Sequence, residues 1–193
     1  MSPDGILFNF IHSLPGNPAV DQLMIFFAEF LVLAVPAALV YLWYQGKAGR
    51  IDSLYVFIAV TVALIASYAV LGQAIQHESP FQVYNTIASG EPENSFPSQH
   101  TATLLAMVLP LLWRKRKNFA YFFLGTGLLT GFSRIYIGEH YPVDILGSAI
   151  AAIIGFAAVI LIEKYMDSYV EALANLGHKV ERKISRPFRK IPV

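Results

Sequence analysis

The sequence predicts an all-α fold, an integral membrane helix bundle with five spanning helices and a short N-terminal helix at the membrane interface. Of its 193 residues, 55% are hydrophobic and only 14% are charged, and the mean hydropathy is +0.52. A soluble domain carries about 25% charged residues, and one small core cannot bury this much apolar surface, so lipid is the expected solvent. With no cysteine and a net charge of +1, nothing indicates a disulfide framework, a thiolate site or a nucleic-acid partner.

Five apolar stretches are candidates for the spanning helices. A span needs about 20 apolar residues at a rise of about 1.5 Å each. Three stretches meet this length, namely Met24–Tyr44, Leu54–Gly72 and Val143–Ile162. Two others, Thr101–Trp113 and Phe119–Phe132, reach only roughly 20 Å. Residues 97–100 and 133–134 must extend these two, which places polar side chains at or below the interface.

The two ends of the chain lie outside these spans. The apolar run Ile6–Ile11 is too short for a span, and the preceding Asp4 does not suit a signal peptide. A short amphipathic helix lying on the membrane and ending near Pro15 is therefore expected. The chain is predicted to divide into a membrane domain over residues 1–166 and a basic cytoplasmic tail over residues 167–193, with the tail forming an interfacial helix.

The positive charges predict the orientation of the bundle. With five spans, thirteen of the fourteen Lys and Arg residues fall on one side, which the positive-inside rule makes cytoplasmic. They are Lys47, Arg50, Arg114, Lys115, Arg116, Lys117, Lys164, Lys179, Arg182, Lys183, Arg186, Arg189 and Lys190. The fourteenth, Arg134, lies on the opposite side among carboxylates and histidines.

A histidine and an aspartate follow Arg134 at a spacing that suits catalysis. His140 and Asp144 are four residues apart, and Pro142 suits the first turn of the last helix. A carboxylate in that turn can accept the Nδ1–H of the histidine and leave Nε2 free to attack or to accept a proton. Alternatively, Asp144 is simply a favourable charge at a helix N-terminus. Arg134 adds a planar fork of donors suited to phosphate.

A second polar segment opens the third span. Ser98 is predicted to cap that helix, and the amides beyond it would form an anion site. His100 would stand beside the anion and donate a proton to a leaving oxygen; the alternative is an ordinary cap followed by a solvent-facing histidine. Together with Arg134 and the His140–Asp144 pair on one face of the bundle, these groups provide the oxyanion stabilisation, nucleophile and acid of phosphoryl transfer.

These motifs resemble those of the type 2 phosphatidic acid phosphatase (PAP2) family. Ser133-Arg134, five residues, His140, three residues and Asp144 match the third family signature. The segment Pro97-Ser98-Gln99-His100 resembles the second signature, in which glycine is usual at the third position. The context of this segment and the short chain are similar to bacterial undecaprenyl-diphosphate phosphatases of the bacitracin-resistance type.

The first family signature is degraded in this sequence. Pro80 matches, but Ser79 stands at the arginine position and Gly72 at the lysine position, so two phosphate-binding cations are missing. The side chains that can substitute for them are Gln73, His77 and Ser79.

The resemblance implies a mechanism without metal or other cofactor. It implies that His140 attacks phosphorus to form a phosphohistidine, Asp144 orients His140, and His100 protonates the leaving group. The phosphoryl oxygens would be held by Arg134, Ser98, Gln99 and Ser133.

The substrate implied by the resemblance is a polyprenyl diphosphate lipid in the bacterial cytoplasmic (inner) membrane, cleaved on its outer face. Three alternatives stay open at this point. They are hydrolysis of another lipid phosphate (phosphatidylglycerophosphate, phosphatidic acid or lipid A), a non-enzymatic transporter or scaffold, and a zinc hydrolase using His100, His140 and Asp144.

Several other polar and small residues receive structural interpretations. Glu29 within the first span is expected to face the bundle and to make a structural hydrogen bond, because a carboxylate in lipid is costly. Glu139 is expected to be a solvated loop carboxylate. Gly125, Gly127 and Gly131 are predicted to allow close contact between helices.

Overall fold

A computed structural model of the chain describes residues 3–91 and 94–185, and over these ranges the fold is helical. The helices are α1 (Pro3–His12), α2 (Pro18–Trp43), α3 (Gly46–Ala74), α4 (Gln99–Trp113), α5 (Lys117–Ile137) and α6 (Pro142–Ser185). A short 3-10 turn covers Pro80–Gln82. Within the described residues, extended pairing is limited to one isolated bridge between Glu78 and Asn94. The prediction of an all-α fold is confirmed.

Three of the helices are long and apolar enough to cross a membrane. They are α2 with 26 residues, α3 with 29 residues, and Pro142–Lys183 of α6 with 42 residues. The apolar helix α4 is shorter, at about 22 Å. α5 has 21 residues, but polar side chains such as Thr126, Thr130 and Ser133 lower its hydropathy. Length and composition in the described ranges thus support three of the five predicted spans.

The central core joins α2, α3, α4 and α5. Its fully buried side chains include Leu42, Val56, Leu104, Met107 and Phe123. Each of these helices also exposes large apolar side chains on its outer face, among them Phe30, Phe57, Leu112 and Leu128. An apolar outer surface around an apolar core is what a bundle needs when its solvent is lipid.

The predicted short N-terminal helix is present and packs onto one end of the bundle. Phe8 and Ile11 are buried against Ala28 of α2 and the last residues of α5. The Asp4 carboxylate accepts a hydrogen bond from the Val143 amide at 2.9 Å. Other apolar side chains of α1, such as Phe10, remain exposed, so the helix has one face for the bundle and one for its surroundings.

At the end of the bundle opposite α1, cations that follow α2 and α4 form ion pairs. Arg114 Nε lies 2.7 Å from Asp52 Oδ1, and Arg114 Nη1 lies 2.8 Å from Glu163 Oε1. Arg116 Nε contacts Asp52 Oδ2 at 2.8 Å, and Lys47 Nζ contacts Glu171 at 3.3 Å. These contacts connect the start of α3, the α4–α5 turn and the second half of α6.

The last helix continues well beyond the apolar stretch that predicted it. The Tyr55 hydroxyl donates to Asp167 Oδ1 at 2.7 Å, and Val170 and Ala174 are buried against α3. The predicted division between residues 166 and 167 therefore falls inside a continuous helix. An interfacial position for residues 167–185 stays a prediction, and residues 186–193 of the predicted tail lie outside the described residues.

The glycines of α5 differ in their surroundings. A Cβ at Gly127 would lie 2.8 Å from Leu105 Cδ2, and one at Gly131 would lie 3.0 Å from Ile145 Cγ2. These two positions do allow close contact with α4 and α6, as the sequence predicts. Gly125 has open space beside it, so the prediction is wrong there.

Gly155 on α6 allows a close approach of two helix backbones, because a Cβ there would strike the carbonyl oxygen of Ala59 on α3. We expect Gly155→Ala to destabilise the protein by about 1–3 kcal/mol, since backbone must shift to relieve the overpacking. Gly125→Ala is the matched control and should gain roughly 0.5–1 kcal/mol from helix propensity. Thermal unfolding of both variants in detergent checks this, and equal midpoints would contradict it.

Candidate active site

The turn between α5 and α6 fixes Arg134 and His140 relative to each other. The Arg134 carbonyl oxygen accepts hydrogen bonds from the amides of Glu139 at 3.0 Å and His140 at 3.3 Å. Gly138 ends α5 in the left-handed conformation with φ of 84°, which glycine adopts without the steric cost of a Cβ. The Arg134 guanidinium and the His140 imidazole therefore both extend from one tight turn.

Asp144 stands behind His140, as the sequence predicts. Asp144 is fully buried, and its Oδ2 lies 3.5 Å from His140 Nδ1. The same oxygen accepts a 2.7 Å hydrogen bond from the Tyr141 amide. The carboxylate thus accepts a hydrogen bond from the amide that precedes α6 and also faces the imidazole. A hydrogen bond from His140 Nδ1 to Asp144 stays a prediction, because that nitrogen has no hydrogen-bond partner among the described residues.

The structure adds a second imidazole to this carboxylate. His77 Nδ1 lies 3.0 Å from Asp144 Oδ1. The His77 backbone is held on both sides, because its amide donates to Asn94 Oδ1 at 2.9 Å and its carbonyl accepts from the Ser95 amide at 2.7 Å. Asp144 thus faces a histidine at each oxygen, an arrangement that sequence spacing could not indicate.

Tyr141 covers His77 on its other side. The two rings stack with centroids 4.5 Å apart and planes 29° apart. Burial raises the pKa of the Tyr141 phenol, and nearby Tyr84 and Asp144 add to the shift. A neutral phenol ring therefore packs against the imidazole.

Arg134 is only 5% exposed and is held by two carboxylates. Its Nη1 lies 3.3 Å from Glu29 Oε1 and donates to the Ala28 carbonyl at 3.3 Å. Its Nη2 lies 2.8 Å from Glu139 Oε1. Glu29 does accept a hydrogen bond within the bundle, as the sequence predicts, and its donor is the Nη1 of Arg134, so the contact is also an ion pair. The expectation of a solvated Glu139 is wrong, since its side chain is only 18% exposed.

These groups surround a cavity of about 280 Å³ at the end of the bundle where α1 packs. It is lined by Glu29, Asn94, Pro97, Gln99, His100, Arg134, Glu139 and His140. The N-terminus of α4 contributes Gln99 and His100. The first intrahelical bond of α4 runs from the Ala102 amide to the Ser98 carbonyl at 2.9 Å, so the amides of residues 99–101 precede it, as at any helix N-terminus. The predicted catalytic histidines and arginine are thus brought together.

Two predicted phosphate-binding hydroxyls are directed elsewhere in the structure. Ser98 occupies the N-cap position of α4, but its hydroxyl donates to Thr101 Oγ1 at 3.1 Å instead of accepting from a backbone amide. Its carbonyl accepts a 2.7 Å hydrogen bond from Ser148, which ties α4 to α6. The Ser133 hydroxyl donates to the Leu129 carbonyl at 2.8 Å. Both serines are buried, and neither is among the residues that line the cavity.

The three possible substitutes for the first family signature have different positions. The Gln73 side-chain amide is exposed in the last turn of α3 and lies 3.5 Å from the Tyr68 carbonyl. Ser79 is fully buried and is not among the lining residues. Of the three, only His77 contacts another predicted site residue, which is Asp144.

The zinc alternative requires a cluster of metal-ligating side chains. In residues 3–91 and 94–185, no group of three or more His, Cys, Asp or Glu side chains is placed to hold a metal ion. This includes the set of His100, His140 and Asp144 that the zinc alternative requires.

A helical bundle whose cavity is lined by two histidines and an arginine, with a buried aspartate beside one of the histidines, has the side chains expected of a membrane phosphatase, and comparison with known proteins agrees. The model of the PAP2 superfamily matches residues 52–167. These residues contain every side chain that lines the cavity except Glu29. The chain belongs to the PAP2 superfamily, and it is a phosphatase, a hydrolase of the membrane.

Similar proteins include one curated relative and two solved structures. Undecaprenyl-diphosphatase BcrC of Bacillus subtilis (strain 168) is 36% identical over 152 residues, which are 77% of this chain and 78% of that protein. The crystal structure of Aquifex aeolicus LpxE has a TM-score of 0.69 at 21% identity, covering 86% of this chain and 97% of that one. A transmembrane PAP2 type phosphatidylglycerolphosphate phosphatase from Bacillus subtilis has a TM-score of 0.64 at 17% identity, covering 84% and 85%. The two structures show the same fold.

Proposed function

We propose that this protein hydrolyses undecaprenyl diphosphate to undecaprenyl phosphate and inorganic phosphate through a phosphohistidine at His140. One observation carries the proposal: His100 from the start of α4 lines the same cavity as Arg134 and His140 from the turn between α5 and α6. The similarity to an undecaprenyl-diphosphatase supports a polyprenyl diphosphate as the substrate. The reaction would return a cell-wall lipid carrier to use and contribute to bacitracin resistance.

The geometry supports a two-step displacement. Arg134 and the N-terminal amides of α4 bind the terminal phosphoryl group. The lone pair of His140 Nε2 then attacks phosphorus while the bond to the bridging oxygen breaks. His100 gives its proton to that oxygen, and undecaprenyl phosphate leaves. Asp144, 3.5 Å from His140 Nδ1, stabilises the imidazole as it becomes cationic.

The second step returns the enzyme to its starting state. His100, now neutral, takes a proton from a water molecule as that water attacks the phosphohistidine. The P–N bond breaks, its electron pair returns to His140, and inorganic phosphate is released. The protein's own residues supply every proton transfer in this scheme.

The membrane arrangement is part of the same proposal. The helices α2 to α6 form five spans, with α4 and α5 as the short ones. The cation-rich end that contains Arg114 and Arg116 faces the cytoplasm. The cavity then opens at the outer face of the bacterial cytoplasmic membrane, and α1 lies at that interface. The apolar exposed faces of α2, α3 and α6 support these three helices as spans.

A different lipid phosphate is the second candidate substrate. Gly72 and Ser79 replace the two cations of the first family signature, and Arg134 is the one Lys or Arg among the described residues that line the cavity. Fewer cations favour a less charged phosphomonoester. Phosphatidylglycerophosphate, phosphatidic acid and lipid A phosphates are the substrates to compare.

The experiment is a phosphate-release panel with the full chain purified in detergent. Undecaprenyl diphosphate should give a kcat/KM at least about tenfold above those of the three other lipid classes. His140→Ala should release no phosphate from any of them, and it serves as the control for contaminating phosphatases. A higher kcat/KM for a glycerolipid phosphate or a lipid A phosphate would reject undecaprenyl diphosphate as the preferred substrate.

A further inference from the structure

Arg134 offers its terminal nitrogens to two carboxylates inside the cavity that is proposed to bind phosphate. Nη1 faces Glu29 Oε1 at 3.3 Å, and Nη2 faces Glu139 Oε1 at 2.8 Å. All three side chains line the cavity. A phosphoryl group that binds the guanidinium in the usual two-pronged way needs these same donors. Phosphate and carboxylate therefore compete for Arg134.

The two carboxylates differ in how firmly they are held. Glu139 makes the shorter contact, and its side chain is 18% exposed. Its backbone amide also donates a hydrogen bond to the Arg134 carbonyl. Glu29 makes the longer contact, is 40% exposed, and comes from α2. A longer and more solvated ion pair is the weaker one. Glu29 is thus the carboxylate that an incoming anion displaces more easily.

The net charge of the cavity favours displacement of a carboxylate when phosphate binds. The walls carry one arginine and two glutamates, so with neutral imidazoles their net charge is −1. The first family signature would add two cations, but Gly72 and Ser79 stand at those positions. A phosphate dianion beside Arg134 is therefore repelled by negative charge that no cation compensates. Of the two glutamates, Glu29 is the one that lies on a different helix from Arg134.

We propose that Glu29 is a displaceable placeholder for the phosphoryl group on Nη1 of Arg134, and that it sets the affinity of the site for phosphate. This inference rests on the proposed function, because it assumes that Arg134 binds the phosphoryl group. The Glu29 carboxylate weakens the binding of substrate and of inorganic phosphate alike. It thereby speeds the exit of inorganic phosphate, the product that remains in the cavity after the second step.

Glu29→Gln tests the proposal, because the amide has the size of the carboxylate but no charge. The inhibition constant of inorganic phosphate should fall about tenfold, which corresponds to about 1.4 kcal/mol. KM for undecaprenyl diphosphate should fall in the same direction, and kcat should not rise. Direct titration calorimetry with inorganic phosphate should show the same gain in affinity without any turnover.

Glu91→Gln is the matched control. Glu91 is exposed and is not among the residues that line the cavity, so this variant removes the same charge without touching Arg134. Its phosphate affinity should stay within about twofold of the wild type, because a solvated charge is screened by salt. An equal gain in both variants would overturn the proposal and leave only a general effect of charge.

Unchanged or weaker phosphate binding by Glu29→Gln would also overturn the proposal. If that variant does not fold, Glu29→Asp draws the carboxylate back from Nη1 and should tighten phosphate binding by about threefold; no gain there would count against the placeholder. The calorimetry separates the two claims. A Glu29→Gln protein that binds phosphate more tightly, in a chain that does not hydrolyse undecaprenyl diphosphate, would reject the proposed function and keep this inference.

Discussion

Replacing Asp144 by Asn is expected to lower kcat for phosphate release by about a thousandfold or more, with little change in KM. The buried carboxylate faces His140 Nδ1 at 3.5 Å, and it also accepts the Tyr141 amide at 2.7 Å. An amide cannot stabilise the cationic imidazole, and its NH₂ group favours the wrong histidine tautomer. Because this loss arises in the transition state, it should appear in kcat and kcat/KM alike.

His77→Ala is the control for this prediction. His77 Nδ1 lies 3.0 Å from Oδ1, the other carboxylate oxygen of Asp144, but His77 is not among the cavity-lining residues. Its removal should cost about tenfold or less, because the contact between Asp144 and His140 survives. Steady-state kinetics of both variants, with the thermal midpoint as a check of folding, make the comparison. Equal losses would contradict the assignment of Asp144 to His140.

Replacing Arg134 by Lys is expected to lower kcat/KM by about 100-fold or more. The guanidinium presents Nη1 and Nη2 to two sides of the cavity, toward Glu29 and Glu139. A lysine ammonium is a single point charge and cannot reach both positions. It would bind the phosphoryl group through fewer contacts, so stabilisation of the transition-state oxygens is lost.

Arg114→Lys provides the contrast at the opposite end of the bundle. Arg114 is also held by two carboxylates, Asp52 at 2.7 Å and Glu163 at 2.8 Å, far from the cavity. This variant should lower the thermal midpoint and leave kcat within about twofold of the wild type. If Arg114→Lys impaired catalysis as much as Arg134→Lys does, the effect of Arg134 could not be assigned to phosphate binding.

Local spacing accounts for the part of the site that could be predicted from the sequence. Asp144 lies in the first turn of α6, four residues after His140, and Arg134 lies in the last turn of α5 before Gly138, so their proximity follows from short separations along the chain. The helix start at Ser98 follows from residue type in the same way. The partner of the Ser98 hydroxyl could not be predicted, because a serine at this position can bind either a backbone amide of the first turn or a side chain such as Thr101.

Contacts between distant segments account for what the sequence could not predict. His77 meets Asp144 across 67 residues, and Glu29 meets Arg134 across 105 residues. No local pattern encodes such pairs, although a carboxylate inside an apolar span was a signal that Glu29 has a partner. The continuation of α6 was missed for the same reason, since α3 supplies the Tyr55 hydroxyl that binds Asp167.

Trapping the covalent intermediate tests directly whether His140 is the nucleophile. The full chain is mixed with undecaprenyl diphosphate radiolabelled in its terminal phosphate, quenched within milliseconds in alkali, and digested for mass spectrometry. Wild-type protein should carry the phosphoryl group on His140, and His140→Ala should carry none. Release of labelled phosphate with no protein-bound label, or with the label on another residue, would contradict the assignment of His140 as the nucleophile.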